Sequence, residues 1–242
     1  MGSVGVRVSK YLSNLGYGSR REIEKLIAQN KIYVNNKLIK TPITFVSNRD
    51  KILIDNKEVT HSKNIEIWKF YKPINFITSR VQQDERLNIY SILPNYLKKM
   101  KTVGRLDVNS EGLLLLTHDG NIIRSLELPK NNFKRKYRVR VYGILNEKKL
   151  ENIAKGVKIK NIQYKPFSFQ ILKKNKNSWI EFELFEGKKN EVRNICSILR
   201  LKVNKLIRIQ FGPFKLNNLR PGQYIKADKT EYKQYENYFR KI

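Results

Sequence analysis

One cysteine, Cys196, stands alone among 242 residues. No internal disulfide can staple the chain, and the usage suits a reducing, cytosolic compartment. The only histidines, His61 and His118, cannot build a zinc site with that single thiol, and no CxxC pair occurs. No GxxxxGK(S/T) loop, GxGxxG turn or GxSxG elbow is present, so the sequence implies neither a cofactor nor a metal. The longest purely apolar run is 113–116, far short of the roughly 20 residues a membrane span needs. No signal-type apolar segment or Arg- and Ser-rich transit segment is read near the start, so neither membrane insertion nor export is expected. Acidic residues are scarce as well: 21 Asp and Glu face 50 Lys and Arg, for a formal net charge of +29.

Hydrophobic residues make up 40% and aromatics 11%, enough for a genuine core. A charge of +29 attracts polyanions, nucleic acid first. Part of it is compositional: 34 Lys and 25 Asn against 3 Ala is the bias of an A+T-rich genome. Local clusters therefore carry more weight. Residues 130–140 hold six basic residues and no acidic one, interleaved with Phe133 and Tyr137, and 186–208 holds seven basic and two acidic. Aromatics set among cations suit nucleic-acid binding, and solvated charge on strand and helix faces is the plainer alternative.

Apolar residues at 8, 12 and 15 predict a short helix, broken by Gly16-Tyr17-Gly18. Ser19 followed by Glu22 is a capping box ahead of Ile23, Leu26 and Ile27, which predicts a second helix over 20–29 with Arg20, Arg21 and Lys25 on its exposed side. Residues 32–39 around Asn35-Asn36 predict a hairpin, with further short strands at 52–54 and Val59. Residues 1–60 thus read as a small appended module, 61–64 as a polar linker and 65–242 as the larger domain. In that domain a strand is expected from Ile65 to just before Lys72-Pro73. More are expected at 102–103, 113–117, 133–142, 162–172, 178–185 and 203–211, with helices over 119–127, 146–154 and 190–200. Strands exchanging with helices, without regular βαβ repetition, predict an α+β fold with a mainly antiparallel sheet.

Three segments could carry chemistry. Gly104-Arg105-Leu106-Asp107 puts a carboxylate on a turn ahead of a buried strand, where it is held rigidly with its head reachable. A loop aspartate capping its own turn is the ordinary alternative. In Lys136-Tyr137-Arg138 the tyrosine is either a core ring with a paired hydroxyl or a stacking platform for a base. In 186–193 (EGKKNEVR) a turn delivers a basic helix start, and Arg193 lies beside the inward stripe, as a surface arginine or as partner to a carboxylate.

GRLDVNSEGLLLLTHDG at 104–120 closely resembles the signature of the RsuA/RluB family of ribosomal RNA pseudouridine synthases. Lys72-Pro73 followed by Thr78-Ser79, KYRVRVYG, EGKKNEVRNI and VNKLIRIQFGPFKL fall in the same order. Residues 7–39 resemble the small RNA-binding module first known from a small-subunit ribosomal protein. The resemblance implies a pseudouridine synthase domain that isomerises uridine, without cofactor, after flipping the base. It implies Asp107 as the catalytic aspartate, Tyr137 stacked on the target uracil, Arg193 paired with the aspartate, and Arg105 filling the gap left by the flipped nucleotide. Arg20, Arg21, Lys25, Lys134, Lys136 and Lys188 are the further RNA contacts expected. Asn75 stands where the family usually has glycine, and Asn194 where a second basic residue often follows Arg193. The implied partner is ribosomal RNA alone, bound by a cytoplasmic monomer. Gly212-Pro213 and VNKLIRI lean toward the large-subunit branch. A small-subunit enzyme, a non-catalytic assembly factor and a basic membrane-surface or DNA-coating protein are the alternatives.

Overall fold

The computed structural model describes residues 5–60, 65–80 and 85–240. The expected linker 61–64, with His61, lies outside them. In the module, α1 (Val8–Asn14) and α2 (Arg20–Ala28) follow the predicted spacing. The capping box is formed: the Ser19 hydroxyl accepts from the Glu22 amide at 3.2 Å, and the Glu22 carboxylate accepts from the Ser19 amide at 2.6 Å. Two otherwise orphaned helix-end donors are thereby satisfied. Ile23 and Ile27 pack on Val8, Leu12, Ile32 and Ile52. Asn35-Asn36 and Asp55-Asn56 carry positive φ at both positions, as tight hairpin turns require. They join Ile32–Val34 to Lys37–Leu38 and Ile52–Ile54 to Lys57–Glu58 in one four-stranded sheet.

The larger unit is built on one nine-stranded sheet: β1 (Trp68–Lys72), β2 (Lys101–Val103), β3 (Glu111–Thr117), β4 (Arg135–Tyr142), β5 (Ser168–Lys173), β6 (Asn177–Leu184), β7 (Lys202–Phe211), β8 (Phe214–Lys215) and β9 (Tyr224–Lys226). The order is β5-β6-β4-β7-β3-β1-β9, with β2 on β3 and β8 on β7. Every pair is antiparallel except β7 with β3. Helices α3 (Gly120–Glu127), α4 (Glu147–Ala154) and α5 (Glu191–Ile198) complete the frame.

The core is split by that parallel junction. On one side, Val139, Ile180, Phe182 and Leu206 pack with Leu150 of α4 and with Ile195 and Cys196 of α5. Burial pushes the Cys196 thiol up to about 12, which marks it as a core residue rather than a nucleophile. On the other side β3 is buried at every position. Leu113 and Leu115 join Ile122 and Leu126 of α3, and Leu114 and Leu116 join Ile89, Leu93 and Leu97 on the opposite face. A strand covered on both faces needs apolar residues in succession rather than in alternation, which accounts for the four-leucine run.

Two expectations are corrected. The single strand over 162–172 is two: Ile162–Tyr164 pairs with Val157–Ile159 in a separate hairpin, and β5 starts at Ser168. Pro166 lies between them and has no amide to give a ladder. The first strand of the domain starts at Trp68 rather than Ile65 and includes Lys72. β9 and the C-terminal turns Lys229–Tyr232 and Glu236–Arg240 go beyond the sequence reading.

Candidate active site

A cavity of about 1030 Å³ opens at the β3–β7 junction, lined among others by Arg105, Asp107, Tyr137, Lys188 and Arg208. Asp107 stands on the turn entering β3, closed by the Ser110 amide on the Asp107 carbonyl at 3.0 Å. That turn is gripped from several sides. The Asn75 amide donates to the Val108 carbonyl at 2.8 Å. The Thr78 hydroxyl donates to the Leu106 carbonyl at 2.8 Å. Arg193 Nη2 donates to the Asn109 carbonyl at 2.8 Å. Lys72 Nζ donates to the Ser110 and Pro73 carbonyls at 2.7 and 2.9 Å. Asn75 has φ +69, so asparagine, which tolerates the left-handed region, supplies here what a glycine would. The Asp107 side chain is exposed, and among the described residues none pairs with its carboxylate. Lys72 is fully buried; burial pulls its ammonium down to about 8, against the opposing pull of Asp107 and Glu111.

Tyr137 reaches the same cavity from β4. A register shift between Lys136 and Tyr137 pairs Tyr137 with Arg208 of β7, and such bulges re-aim side chains beside functional sites. Arg208 is in turn the parallel partner of Gly112. Gly112 has φ +103, and a Cβ there would sit 2.4 Å from the Arg208 carbonyl oxygen. Glycine is therefore required for β3 and β7 to approach closely enough to bring Asp107 and Tyr137 to one cavity. The guanidinium groups of Arg135 and Arg208 both lie over the Phe211 ring, at 4.6 and 4.9 Å from its centre.

The far wall holds two carboxyl groups. Glu186 accepts from the Lys165 amide at 2.8 Å and pairs with Lys188 Nζ at 2.8 Å. Burial raises its pKa, but these contacts outweigh burial and leave it lowered. Glu191 is buried beside it, and burial, with the neighbouring Glu186 charge, pushes it up to about 7. The Glu186 charge thus adds to burial in favouring the protonated form of Glu191.

A turn-borne carboxylate, an aromatic ring and several cations around one cavity suit the handling of a base in RNA. Residues 66–197 match the family of RNA pseudouridylate synthases, and residues 6–52 match the S4 domain. The chain belongs to the RNA pseudouridylate synthase family. A Rickettsia felis protein named as an RNA pseudouridine synthase is 42% identical over 219 residues, which is 90% of this chain and 95% of that one. The ribosomal large subunit pseudouridine synthase B of Buchnera aphidicola subsp. Schizaphis graminum is 35% identical over 240 residues, covering 96% and 93%. A crystal structure of a pseudouridylate synthase shares the fold, with a TM-score of 0.66 at 24% identity over 94% of this chain and 98% of that one. The protein is an RNA pseudouridine synthase, an isomerase.

Within this synthase the expected site residues divide. Arg105, Asp107, Tyr137 and Lys188 line one cavity. Arg193 is bonded to the backbone of the Asp107 turn rather than to the carboxylate. Lys188 is tied back to the Gln163 carbonyl and to Glu186. Lys136 and Lys134 fall on the opposite face of the sheet from Tyr137, because side chains alternate along a strand. There they pair with Glu181 at 2.8 Å and Glu183 at 3.3 Å. Arg20, Arg21 and Lys25 lie exposed on the module. Lys72, Arg135, Glu191 and Arg208 were not anticipated. Parity was the available signal for Arg208: it stands two residues from inward-facing Leu206 on an alternating strand. His118 is pressed against Gly16 of the module, and burial lowers its pKa.

Proposed function

We propose that the chain converts one uridine of large-subunit ribosomal RNA to pseudouridine, as a cytoplasmic monomer, with Asp107 as the catalytic carboxylate. The observation that carries this reading is the convergence of Asp107, Arg105 and Tyr137 on one cavity. The large-subunit assignment is supported by the likeness to a relative of that name over nearly the whole chain.

In the reaction the N1–C1′ glycosidic bond breaks, the uracil turns, and a C5–C1′ bond forms. The hydrogen on C5 leaves as a proton, and N1 gains one. The target base first leaves its stack, at a cost of a few kcal/mol and least in a loop or bulge. Tyr137 offers a stacking face worth about 1–3 kcal/mol, and Arg105 fills the gap in the RNA. Asp107 reacts as the anion, as nucleophile or as base toward the sugar. Lys72 beneath the turn and Arg193 on its carbonyl surround that anion with positive charge.

The test is a carbodiimide and primer-extension map of unmodified large- and small-subunit RNA, after incubation with wild type or with Asp107→Asn. One new stop on large-subunit RNA, absent with the variant, is expected. A stop on small-subunit RNA would overturn the substrate assignment, and activity retained by Asp107→Asn would overturn the assignment of the carboxylate.

A further inference from the structure

Arg208 has no part in the assignment above. Its side chain is almost wholly buried, at 3% exposure, and among the described residues no carboxylate pairs with it. A permanent cation is costly in such a place, and Arg135, over the same Phe211 ring, adds like-charge repulsion. A leucine or methionine would fill the volume without that cost. What the guanidinium supplies is direction. Its Nε donates to the Leu113 carbonyl at 2.8 Å, on the strand that leaves the Asp107 turn. Tyr137, its partner on the neighbouring strand, projects from the same face and lines the same cavity. The buried Nη2 has no partner, so the guanidinium keeps a donor in reserve.

We infer that Arg208 is a positioning residue, tethered to Leu113 and holding the Tyr137 hydroxyl, so that the ring on which the uracil stacks keeps a fixed place relative to Asp107. This rests on the proposed role of Tyr137. The arrangement spans the β4, β7 and β3 strands at the one parallel junction of the sheet. Movement there would change the spacing of ring and carboxylate.

The test is a double-variant cycle. Wild type, Tyr137→Phe, Arg208→Lys, Arg208→Met and the two variants that combine an Arg208 change with Tyr137→Phe are compared. The readout is single-turnover release of tritium from C5 of labelled uridine in unmodified ribosomal RNA transcripts, with melting temperature recorded for each protein. Arg208→Lys keeps the charge but replaces the rigid, planar fork of donors with a single flexible ammonium that cannot hold the same two directions. It should slow the rate at saturating RNA at least tenfold while half-saturation moves less than threefold. In the Tyr137→Phe background the same change should cost less than twofold, because the hydroxyl it acts through is gone. Losses that multiply in the combined variants, a wild-type rate in both Arg208 variants, or failure of both to fold would each overturn the inference and leave Arg208 a stabiliser of the sheet. A wild type that releases no tritium would instead overturn the pseudouridylation reading itself, and this inference with it.

Discussion

Lys72 shows what a single buried charge does at this site. Its ammonium has no exposure and is held by two carbonyls and by the field of Asp107 and Glu111. Burial is the larger effect, so its pKa in the folded protein, about 8, lies below the ordinary 10.5. The unfolded chain therefore binds more protons between these values, and stability rises with pH across that window. Other groups titrate there too, so the quantity to measure is the difference between wild type and Lys72→Met in urea. That difference should shift in favour of wild type by about 1–3 kcal/mol as pH is raised from about 8 to 10.5. A difference that stays flat with pH would mean that Lys72 keeps its ordinary pKa. Periodicity could not show this lysine as buried, because it ends its strand, where a solvated lysine is the common case.

At the scale of elements, the backbone does much of the positioning. Asparagine takes turns that glycine would otherwise take: Asn35, Asn36, Asn56 and Asn75 all have positive φ. The composition that inflates lysine thus also supplies turn residues, and the Asn75 departure from the family pattern leaves the Asp107 turn intact. Gly112 is different, because its need is steric as well as conformational. Gly112→Ala should cost more than about 3 kcal/mol, since the added Cβ meets backbone that cannot yield. Gly104→Ala, with positive φ but open space around the site, should cost about 1–2 kcal/mol. Urea unfolding of both checks the contrast, and equal losses would show that φ alone sets the requirement.

At the scale of the whole molecule, the module is docked through polar contacts. Lys101 Nζ donates to the Ser13 hydroxyl at 2.8 Å, to the Ser13 carbonyl at 3.1 Å and to the His118 carbonyl at 3.2 Å. The Gly120 amide, at the start of α3, donates to Asn14 at 3.1 Å. The exposed Arg20, Arg21 and Lys25 are thereby carried on the same body as the cavity. Replacing these three by glutamine in the full chain should reduce the slope of log affinity against log salt by about 2. The single-turnover rate at saturating RNA should stay within twofold. A slope that does not move would remove the α2 face from the RNA contact. Among the described residues no helix is long and apolar enough to cross a membrane.

The sequence alone was enough for the longer helices, most strands, the mainly antiparallel α+β class and the turn that bears Asp107. These follow from local rules: a capping box, hairpin turns and apolar periodicity act over a few residues. Through the family resemblance it also pointed to Tyr137, which lines the cavity, and to Arg193, which bonds the backbone of the Asp107 turn rather than the carboxylate. Only the tertiary structure decided which of the basic residues share a cavity with Asp107. Strand alternation sends Lys134 and Lys136 to the far face and Tyr137 to the cavity face, opposite Arg208. Only the tertiary structure buried Lys72 and Arg208, since the parallel meeting of β3 and β7 joins residues far apart in sequence. Burial, and with it the cost and purpose of a charge, is a property of what packs around a residue rather than of its neighbours along the chain.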